Sequence, residues 1–270
     1  MCGIISLLTA FIFLCAPALA HFWDAHDNAA RGVSMGTTLV AAKFDGGVVL
    51  GADSRTSSGA YVAHRFAEKM DQVHRSIVLC RSGSAADTQF VAETVAVRLE
   101  GYELTCDRAP SVRTAATLVK NLCYQHRDTF SASIVCAGWD PRKGASIYII
   151  PPGGALLEQE YALSGSGSAY ITGYCDEHFD RRSGAGSNDG GGTGSGDGRS
   201  RGDSGSSGGD GGSSALSREE CIERVRHAVE LAIARDTASG GVVRLCIVDR
   251  NGVERRVIVP RDWPSTLKYK

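Results

Sequence analysis

The chain has 270 residues, 43% of them apolar, so it is long enough to build one large domain or two small ones around a buried core. Its 29 lysine and arginine residues balance 30 aspartate and glutamate residues. Because the net charge is close to zero, no overall field attracts nucleic acid or an anionic membrane, and we expect neither as a partner.

The first residues include an apolar stretch, ISLLTAFIFLCAPALA, that ends in an Ala-x-Ala pattern typical of a secretory signal. Residues 1–3 supply no positive charge before it, and the stretch is too short to span a membrane with normal flanks. We therefore favour a leader that is removed on maturation over a true secretory signal. Secretion stays open as the alternative.

Beyond residue 36 the apolar residues alternate along the chain, which predicts strands. Residues 38–44 and 47–53 flank an Asp45-Gly46 turn and predict a hairpin. Residues 61–66 and 76–81 predict a second strand pair.

Helices follow these strands, with apolar residues at helical spacing over residues 84–104 and again over residues 111–127. The pattern then predicts further strands and a shorter helix, in the order strands 133–139, 145–150 and 155–163 and helix 168–178.

Residues 183–214 contain 14 glycines and 9 serines, a composition that predicts a flexible surface insertion because it cannot bury enough apolar surface to order its backbone. Structure resumes with a capping-box spacing at Ser217 and Glu220 and a helix to about residue 235. An Asn251-Gly252 turn predicts a closing hairpin. The element order predicts an α+β fold with two sheets between helical layers.

The nine cysteines include no Cys-x-x-Cys pair, and Cys80, Cys136 and Cys246 lie inside apolar runs. This favours buried, reduced thiols over a disulfide or zinc framework. The seven histidines show no metal-ligand spacing, so we expect no structural metal.

A Gly36-Thr37-Thr38 sequence precedes the first predicted strand. If the Gly36–Thr37 bond were cut, the new α-amine, with a pKa of about 7.7 to 8.0, could serve as the base for the Thr37 hydroxyl. Glycine suits the cut position because, without a Cβ, it tolerates a contorted backbone. Taken by itself, however, Gly-Thr-Thr is more typical of an ordinary strand start.

Gly36-Thr37-Thr38 does not stand alone. It opens a series of motifs that occur in this order: TTLVAAKFDGGVVLGADSRTSSGAYV, EKMDQVH, CRSGSAADTQ, AGWDP, SGSGSAY and RDTASGGVVRL. With these motifs the chain resembles the catalytic beta subunits of the eukaryotic 20S proteasome, and most of all the beta-1 type, which has caspase-like, post-acidic specificity. The resemblance covers about residues 36–259, except the glycine-rich insertion. It implies the four-layer αββα sandwich of the N-terminal nucleophile hydrolase fold.

The resemblance also implies roles for individual residues. Residues 1–36 would be a propeptide cut after Gly36, and residues 37–270 the catalytic domain. Thr37 would be nucleophile and base, and Gly83 would supply an oxyanion-hole N–H. The implied partners of Thr37 are Asp53, Lys69, Ser166, Asp236 and Ser239.

Substrate contacts are implied at Arg81, Thr56 and Ala85. Arg81 precedes Gly83 by two residues, so alternation along a strand puts both on one side. An arginine in the first specificity pocket would pair with a carboxylate and would otherwise remain uncompensated. The simpler reading is an arginine in a structural ion pair.

The resemblance implies no cofactor, a location in cytoplasm and nucleus, and assembly with other alpha and beta subunits in a stacked-ring particle of 28 subunits that degrades unfolded polypeptides. Two alternatives remain open. One is a catalytically silent ring subunit, disfavoured because Gly36, Thr37, Asp53 and Lys69 are all present. The other is a secreted amidohydrolase of the same fold, which would need the leader to be a true signal.

Overall fold

A computed structural model describes residues 36–58, 61–180 and 216–259. The predicted leader, apart from Gly36, and the predicted flexible insertion at 183–214 lie outside these residues. The strands are β1 Leu39–Phe44, β2 Gly47–Ala52, β3 Thr56–Ser58, β4 Tyr61–His64, β5 Met70–His74, β6 Ile77–Gly83, β7 Ala132–Asp140, β8 Gly144–Ile150, β9 Leu157–Gln159, β10 Tyr161–Ser164, β11 Val243–Asp249 and β12 Gly252–Ile258. The helices are α1 Ala85–Cys106, α2 Val112–Gln125, α3 Ser168–Phe179 and α4 Arg218–Arg235.

Two five-stranded antiparallel sheets form the centre of the fold. The first has the order β10-β1-β2-β11-β12 and the second the order β5-β6-β7-β8-β9. Helices α3 and α4 pack on the first sheet, and α1 and α2 pack on the second. The predicted α+β sandwich of four layers is therefore confirmed.

Three apolar clusters hold these layers together. One lies between the two sheets, and the others lie under each helix pair. Side chains alternate between the two faces of a strand, so one strand contributes to two clusters. On β6, Val78 and Cys80 face the other sheet, whereas Ile77 and Leu79 face α1 and α2. The face to which a β6 side chain belongs can thus be read from its position in the strand.

Short polar and glycine signals set several element boundaries. The Ser84, Ser111 and Ser217 hydroxyls each cap a helix by accepting a backbone N–H three residues on. Both glycine turns form the predicted hairpins, with positive φ at Gly46 (97°) and Gly252 (119°).

The predicted pairing of residues 61–66 with residues 76–81 is wrong. Strand β4 pairs with β3 in a separate two-stranded sheet, whereas β6 pairs with β5, which the sequence pattern did not predict. Strand β5 has the sequence MDQVH, and its polar residues and bulge obscure the alternation.

The single strand predicted at 155–163 is two strands. Strand β9 pairs with β8 in the second sheet, and β10 pairs with β1 in the first. The chain changes sheets at Glu160, whose carboxylate accepts a hydrogen bond from Lys43 at 2.9 Å. This crossing brings the end of β10 beside the start of β1.

Cys80, Cys136 and Cys246 are buried, as predicted, and every cysteine in the described part of the chain is free. Burial raises the pKa of the Cys246 thiol to about 11, so this thiol remains protonated at neutral pH. Among the described residues, no histidine, cysteine and carboxylate cluster could hold a metal ion. The described helices are also too short or too polar to cross a bilayer.

Candidate active site

Thr37 lies two residues before the start of β1, at the end of the first sheet. It is nearly buried, at 3% exposure, and remains joined to Gly36. Its hydroxyl donates a hydrogen bond of 2.7 Å to the carbonyl oxygen of Gly36. The hydroxyl is therefore already close to the carbonyl group of the peptide bond that precedes it.

Lys69, one residue before β5, brings a buried ammonium group to this hydroxyl. Its Nζ lies 3.1 Å from Thr37 Oγ1, 2.9 Å from the Gly36 carbonyl oxygen and 2.7 Å from Asp53 Oδ1. These three acceptors match the three N–H donors of a charged lysine. The ammonium is thus fully hydrogen-bonded although it is buried.

Asp53 follows β2 and is completely buried, at 0% exposure. Besides Lys69, it accepts backbone N–H groups of Thr38 at 2.9 Å, Arg55 at 3.1 Å and Gly240 at 3.0 Å. A buried carboxylate is stable when hydrogen bonds and a counter-charge replace water, and Asp53 has both. It also fixes the position of Lys69.

Burial lowers the pKa of Lys69 from its usual value, and the neighbouring Asp53 carboxylate opposes that shift. A lysine balanced in this way can hold a positive charge next to a hydroxyl and release a proton more readily than an exposed lysine. Such tuning is common where a side chain assists proton transfer.

A second network lies on the other side of Thr37. The Thr37 backbone N–H donates to Ser166 Oγ at 3.2 Å, and Ser166 Oγ donates to Asp236 Oδ2 at 2.7 Å. Ser239 Oγ donates to the same carboxylate oxygen at 2.6 Å and lies 2.8 Å from Thr38 Oγ1. The network therefore links the Thr37 nitrogen to a carboxylate through one hydroxyl.

Burial by itself would raise the pKa of Asp236, but the hydrogen bonds from Ser239 and Ser166 and from the backbone outweigh it and lower the pKa of this carboxyl. Asp236 therefore stays ionised at neutral pH. As an acceptor, it orients the Ser166 hydroxyl so that the Ser166 oxygen faces the Thr37 nitrogen.

The Gly165-Ser166-Gly167 loop approaches Thr37 too closely for larger residues. Gly165 has φ of 87°, and a Cβ there would lie 2.1 Å from the Thr37 carbonyl oxygen. A Cβ at Gly167 would lie 1.9 Å from Thr38 Oγ1. The two glycines thus allow Ser166 to reach the Thr37 nitrogen.

Gly36 is packed against Ala238, in the loop that also carries Asp236 and Ser239. A Cβ at Gly36 would lie 2.1 Å from the carbonyl oxygen of Ala238. That Gly36 tolerates a contorted backbone stays a prediction, and the contact with Ala238 is a separate reason for glycine here. Close approach of two backbones is the reason that the structure gives.

Thr37 opens onto a cavity that includes four more of the predicted residues, Arg81, Gly83, Thr56 and Ala85. The lining consists of Gly36, Thr37, Thr56, Ala67, Glu68, Lys69, Arg81, Gly83, Ala85, Thr88 and Gln89. Gly83 ends β6 with φ of 103°, and a Cβ there would lie 2.2 Å from the Ser131 carbonyl oxygen. This positive φ, which only glycine adopts easily, turns the chain from the end of β6 toward the start of α1.

Arg81 is largely buried, at 9% exposure, in the wall of this cavity. Its guanidinium donates to the Glu68 carbonyl oxygen at 3.0 Å and to Thr88 Oγ1 at 3.4 Å, and its Nε forms an ion pair with Asp71. The expectation of an otherwise uncompensated arginine is therefore wrong. Arg81 both lines the cavity and belongs to an ion pair.

Sequence reasoning missed four residues of the cavity lining, Ala67, Glu68, Thr88 and Gln89, and two that contact site residues from outside the lining, Thr38 and Asp71. Thr88 had a usable signal, because it lies one turn into the helix that starts beside the cavity. Asp71 had none, because its neighbour across the sheet was predicted incorrectly.

The four-layer sandwich of two antiparallel sheets between helix pairs is that of the N-terminal nucleophile hydrolase fold. A family model described as proteasome subunit matches residues 33–186. Proteasome subunit beta type-6 of Dictyostelium discoideum is 41% identical over 88% of this chain and 96% of its own length. Proteasome subunit beta type-1 of Saccharomyces cerevisiae is 38% identical over 86% of this chain and 92% of its own.

A protein named probable proteasome subunit beta type-1, from Schizosaccharomyces pombe, is 39% identical over 83% of this chain and 84% of its own length. The chain belongs to the proteasome subunit family and is a beta-type subunit of the 20S core. Membership in this family implies that it assembles with other proteasome subunits.

Proposed function

We propose that this subunit is a threonine endopeptidase that cleaves its own chain after Gly36 and then cuts polypeptides after acidic residues. The observation that carries the proposal is the contact of Lys69 Nζ with both Thr37 Oγ1 and the Gly36 carbonyl oxygen. One ammonium group thus touches a candidate nucleophile and the carbonyl that this nucleophile would attack first.

Self-cleavage follows from this geometry. The Thr37 hydroxyl oxygen attacks the Gly36 carbonyl carbon, while Lys69 stabilises the negative charge that develops on the carbonyl oxygen. The C–N bond then breaks, and the Thr37 nitrogen takes up the proton that the hydroxyl lost. Water hydrolyses the resulting Gly36 ester, which releases the leader and restores the hydroxyl.

The new amine is the base of the mature site. Near neutral pH a useful fraction of an α-amine is unprotonated, and the Lys69 charge nearby favours that form. Ser166 and Asp236 hold the nitrogen beside the Thr37 hydroxyl, so the amine can accept the hydroxyl proton when a substrate is attacked. The Gly83 N–H is assigned to the oxyanion, where one donor is worth about 100- to 1,000-fold in rate.

The N-terminus of the mature subunit tests this proposal directly. Intact-mass measurement of the subunit from assembled particles should give a chain that begins at Thr37. Gly36→Ala should leave most of the chain uncut, because the added Cβ would overlap the Ala238 carbonyl and displace the bond to be cut. A wild-type chain that begins only at another residue would contradict the proposal.

Arg81 supports the post-acidic preference. Its Nε lies in the ion pair with Asp71 without a hydrogen bond, and its contacts with Thr88 and Glu68 use two of the four N–H groups on the terminal nitrogens, so two of these four have no partner among the described residues. These two can donate to a carboxylate of the residue before the scissile bond. Because Arg81 is paired with Asp71, an uncharged substrate side chain in the pocket does not leave the guanidinium without a counter-charge. The preference for acidic substrate residues should therefore be moderate.

Arg81→Met should remove this acidic preference while hydrolysis itself continues. We expect the ratio of kcat/KM for a glutamate peptide to that for a leucine peptide to fall by about 10- to 100-fold. Fluorogenic peptides that differ only in the residue before the scissile bond measure the ratio, in particles whose other active subunits are silenced. Arg75→Met, which removes a surface arginine paired with Glu103, is the control and should leave the ratio unchanged. If Arg81→Met keeps the acidic preference, Arg81 is only structural.

The same proposal places the subunit in an inner ring of a 28-subunit particle, in cytoplasm and nucleus, acting on unfolded polypeptides. The alternative is a silent ring subunit of that particle. The contacts among Thr37, Lys69 and Asp53 support the active form, because a silent subunit would have no need of a buried ammonium group at a hydroxyl.

A further inference from the structure

Asp71 and Arg81 lie on adjacent strands and on the same face of the second sheet. Strand β5 is antiparallel to β6 with Asp71 opposite Leu79, so Arg81 is the diagonal neighbour of Asp71. The side chains of Met70 and Cys80 belong to the cluster between the sheets, and alternation directs Asp71 and Arg81 to the opposite face. The pairing of the two charges is therefore built into the strand register.

The other charges beside the cavity already have partners. The Lys69 ammonium is paired with Asp53, and the Glu68 carboxylate lies 3.0 Å from Arg244 Nη1 and 3.5 Å from Arg255 Nη1. Arg81 is the other charged residue in the lining, and Asp71 is its charge partner. Whether the pocket attracts an anion strongly or weakly therefore depends on Asp71.

We infer that Asp71 is a specificity-determining residue of this pocket: it partly neutralises Arg81 from behind and competes with the carboxylate of the substrate for the same guanidinium. The inference rests on the proposed endopeptidase function. Its consequence is a pocket that accepts acidic residues but also tolerates uncharged ones, because the guanidinium is never left without a counter-charge.

Asp71 is 34% exposed at its side chain, on an edge strand, so a substitution of similar size is compatible with the fold. Asp71→Asn keeps the shape of the side chain and removes only the negative charge. The free positive charge of Arg81 should then discriminate more strongly between an anion and its neutral equivalent. Asp71→Glu, which keeps the charge, should behave like the wild type.

The experiment compares peptides with Glu or Gln before the scissile bond, because this pair differs in charge and hardly in shape. Purified particles whose other active subunits are silenced should show a Glu-to-Gln ratio of kcat/KM that rises by about 5- to 20-fold in Asp71→Asn. Glu103→Gln, which removes a carboxylate paired with Arg75 on the surface, is the matched control and should leave the ratio unchanged.

A double variant distinguishes charge competition from a general disturbance of the pocket. With Arg81→Met present, Asp71→Asn should no longer change the ratio, because the guanidinium on which it acts is gone. An unchanged or lower ratio in Asp71→Asn alone, or the same rise in the Arg81→Met background, overturns the role of Asp71. Failure of the wild type to hydrolyse any of these peptides overturns instead the endopeptidase function on which the inference rests.

Discussion

Thr37→Ala should abolish both reactions of this subunit, cleavage of its own leader and hydrolysis of peptides. The substitution removes the hydroxyl that lies 2.7 Å from the Gly36 carbonyl oxygen and 3.1 Å from Lys69 Nζ. Among the described residues, no other hydroxyl lies within hydrogen-bond distance of Lys69 Nζ. We expect peptide hydrolysis to fall by about 10,000-fold or more, as when other covalent nucleophiles are removed.

The measurement combines intact mass, which reports the leader, with peptide turnover by particles whose other active subunits are silenced. Thr37→Ser is the matched variant, since it keeps the hydroxyl and should retain processing and a measurable fraction of turnover. The Thr37→Ala particle should still assemble, because the backbone contacts of residue 37 with Ser166 and Gly167 do not use its side chain. Loss of only a few-fold in Thr37→Ala would mean that the nucleophile lies elsewhere.

Local sequence signals predicted the parts of this fold that depend on neighbours in the chain. The Asp45-Gly46 and Asn251-Gly252 turns form the hairpins that they predict, since positive φ at a turn glycine is a local property. The helix starts were equally readable, because a serine cap bonds to a residue only three positions away.

Strand partners could not be read in the same way, because pairing depends on residues that are distant in sequence. Residues 61–66 have a clearer apolar pattern than β5, so the pattern favours them as the partner of residues 76–81, whereas β6 pairs with β5. In that pairing Asp71 falls in a connection between strands, whereas in the structure it lies on β5 and forms an ion pair with Arg81. The sequence pattern therefore indicates no charge partner for Arg81, whereas the structure has one.

The candidate site was predicted from a resemblance, and its geometry adds the physical reasons. Sequence alone gives no reason for glycine at 165 and 167, whereas the distances to Thr37 and Thr38 leave no room for a Cβ. The close approach of Gly36 to Ala238 is of the same kind. Contacts between backbones that are distant in sequence depend on the packing of the whole fold, so no local pattern reports them.

Lys69→Met should have the second largest effect. The substitution keeps an unbranched side chain of similar length but removes the ammonium group that contacts Thr37 Oγ1, the Gly36 carbonyl oxygen and Asp53. Without that charge, proton transfer from the Thr37 hydroxyl is not assisted and the developing oxyanion is not stabilised. We therefore expect peptide hydrolysis to fall by about 100- to 10,000-fold. Leader cleavage should slow as well.

The same substitution leaves the Asp53 carboxylate buried without its counter-charge, which costs about 3–5 kcal/mol of folding free energy when one partner of a buried pair is removed. Low activity could therefore result from poor assembly. The double variant Asp53→Asn with Lys69→Met removes both charges and should recover part of the lost stability while hydrolysis stays low, because the asparagine oxygen can replace only one of the two carboxylate oxygens that accept backbone N–H groups. This pair of variants separates the chemical role of Lys69 from its structural role.

Lys43→Met provides the matched control, because Lys43 also pairs with a carboxylate, but its partner Glu160 is exposed to solvent. Such a surface pair contributes at most about 1 kcal/mol, so assembly and turnover should stay within about twofold of the wild type. Particle yield, intact mass and peptide turnover should be measured on all three variants together. If Lys69→Met processes its leader and hydrolyses peptides within tenfold of the Lys43→Met control, the buried ammonium group has no chemical role at Thr37.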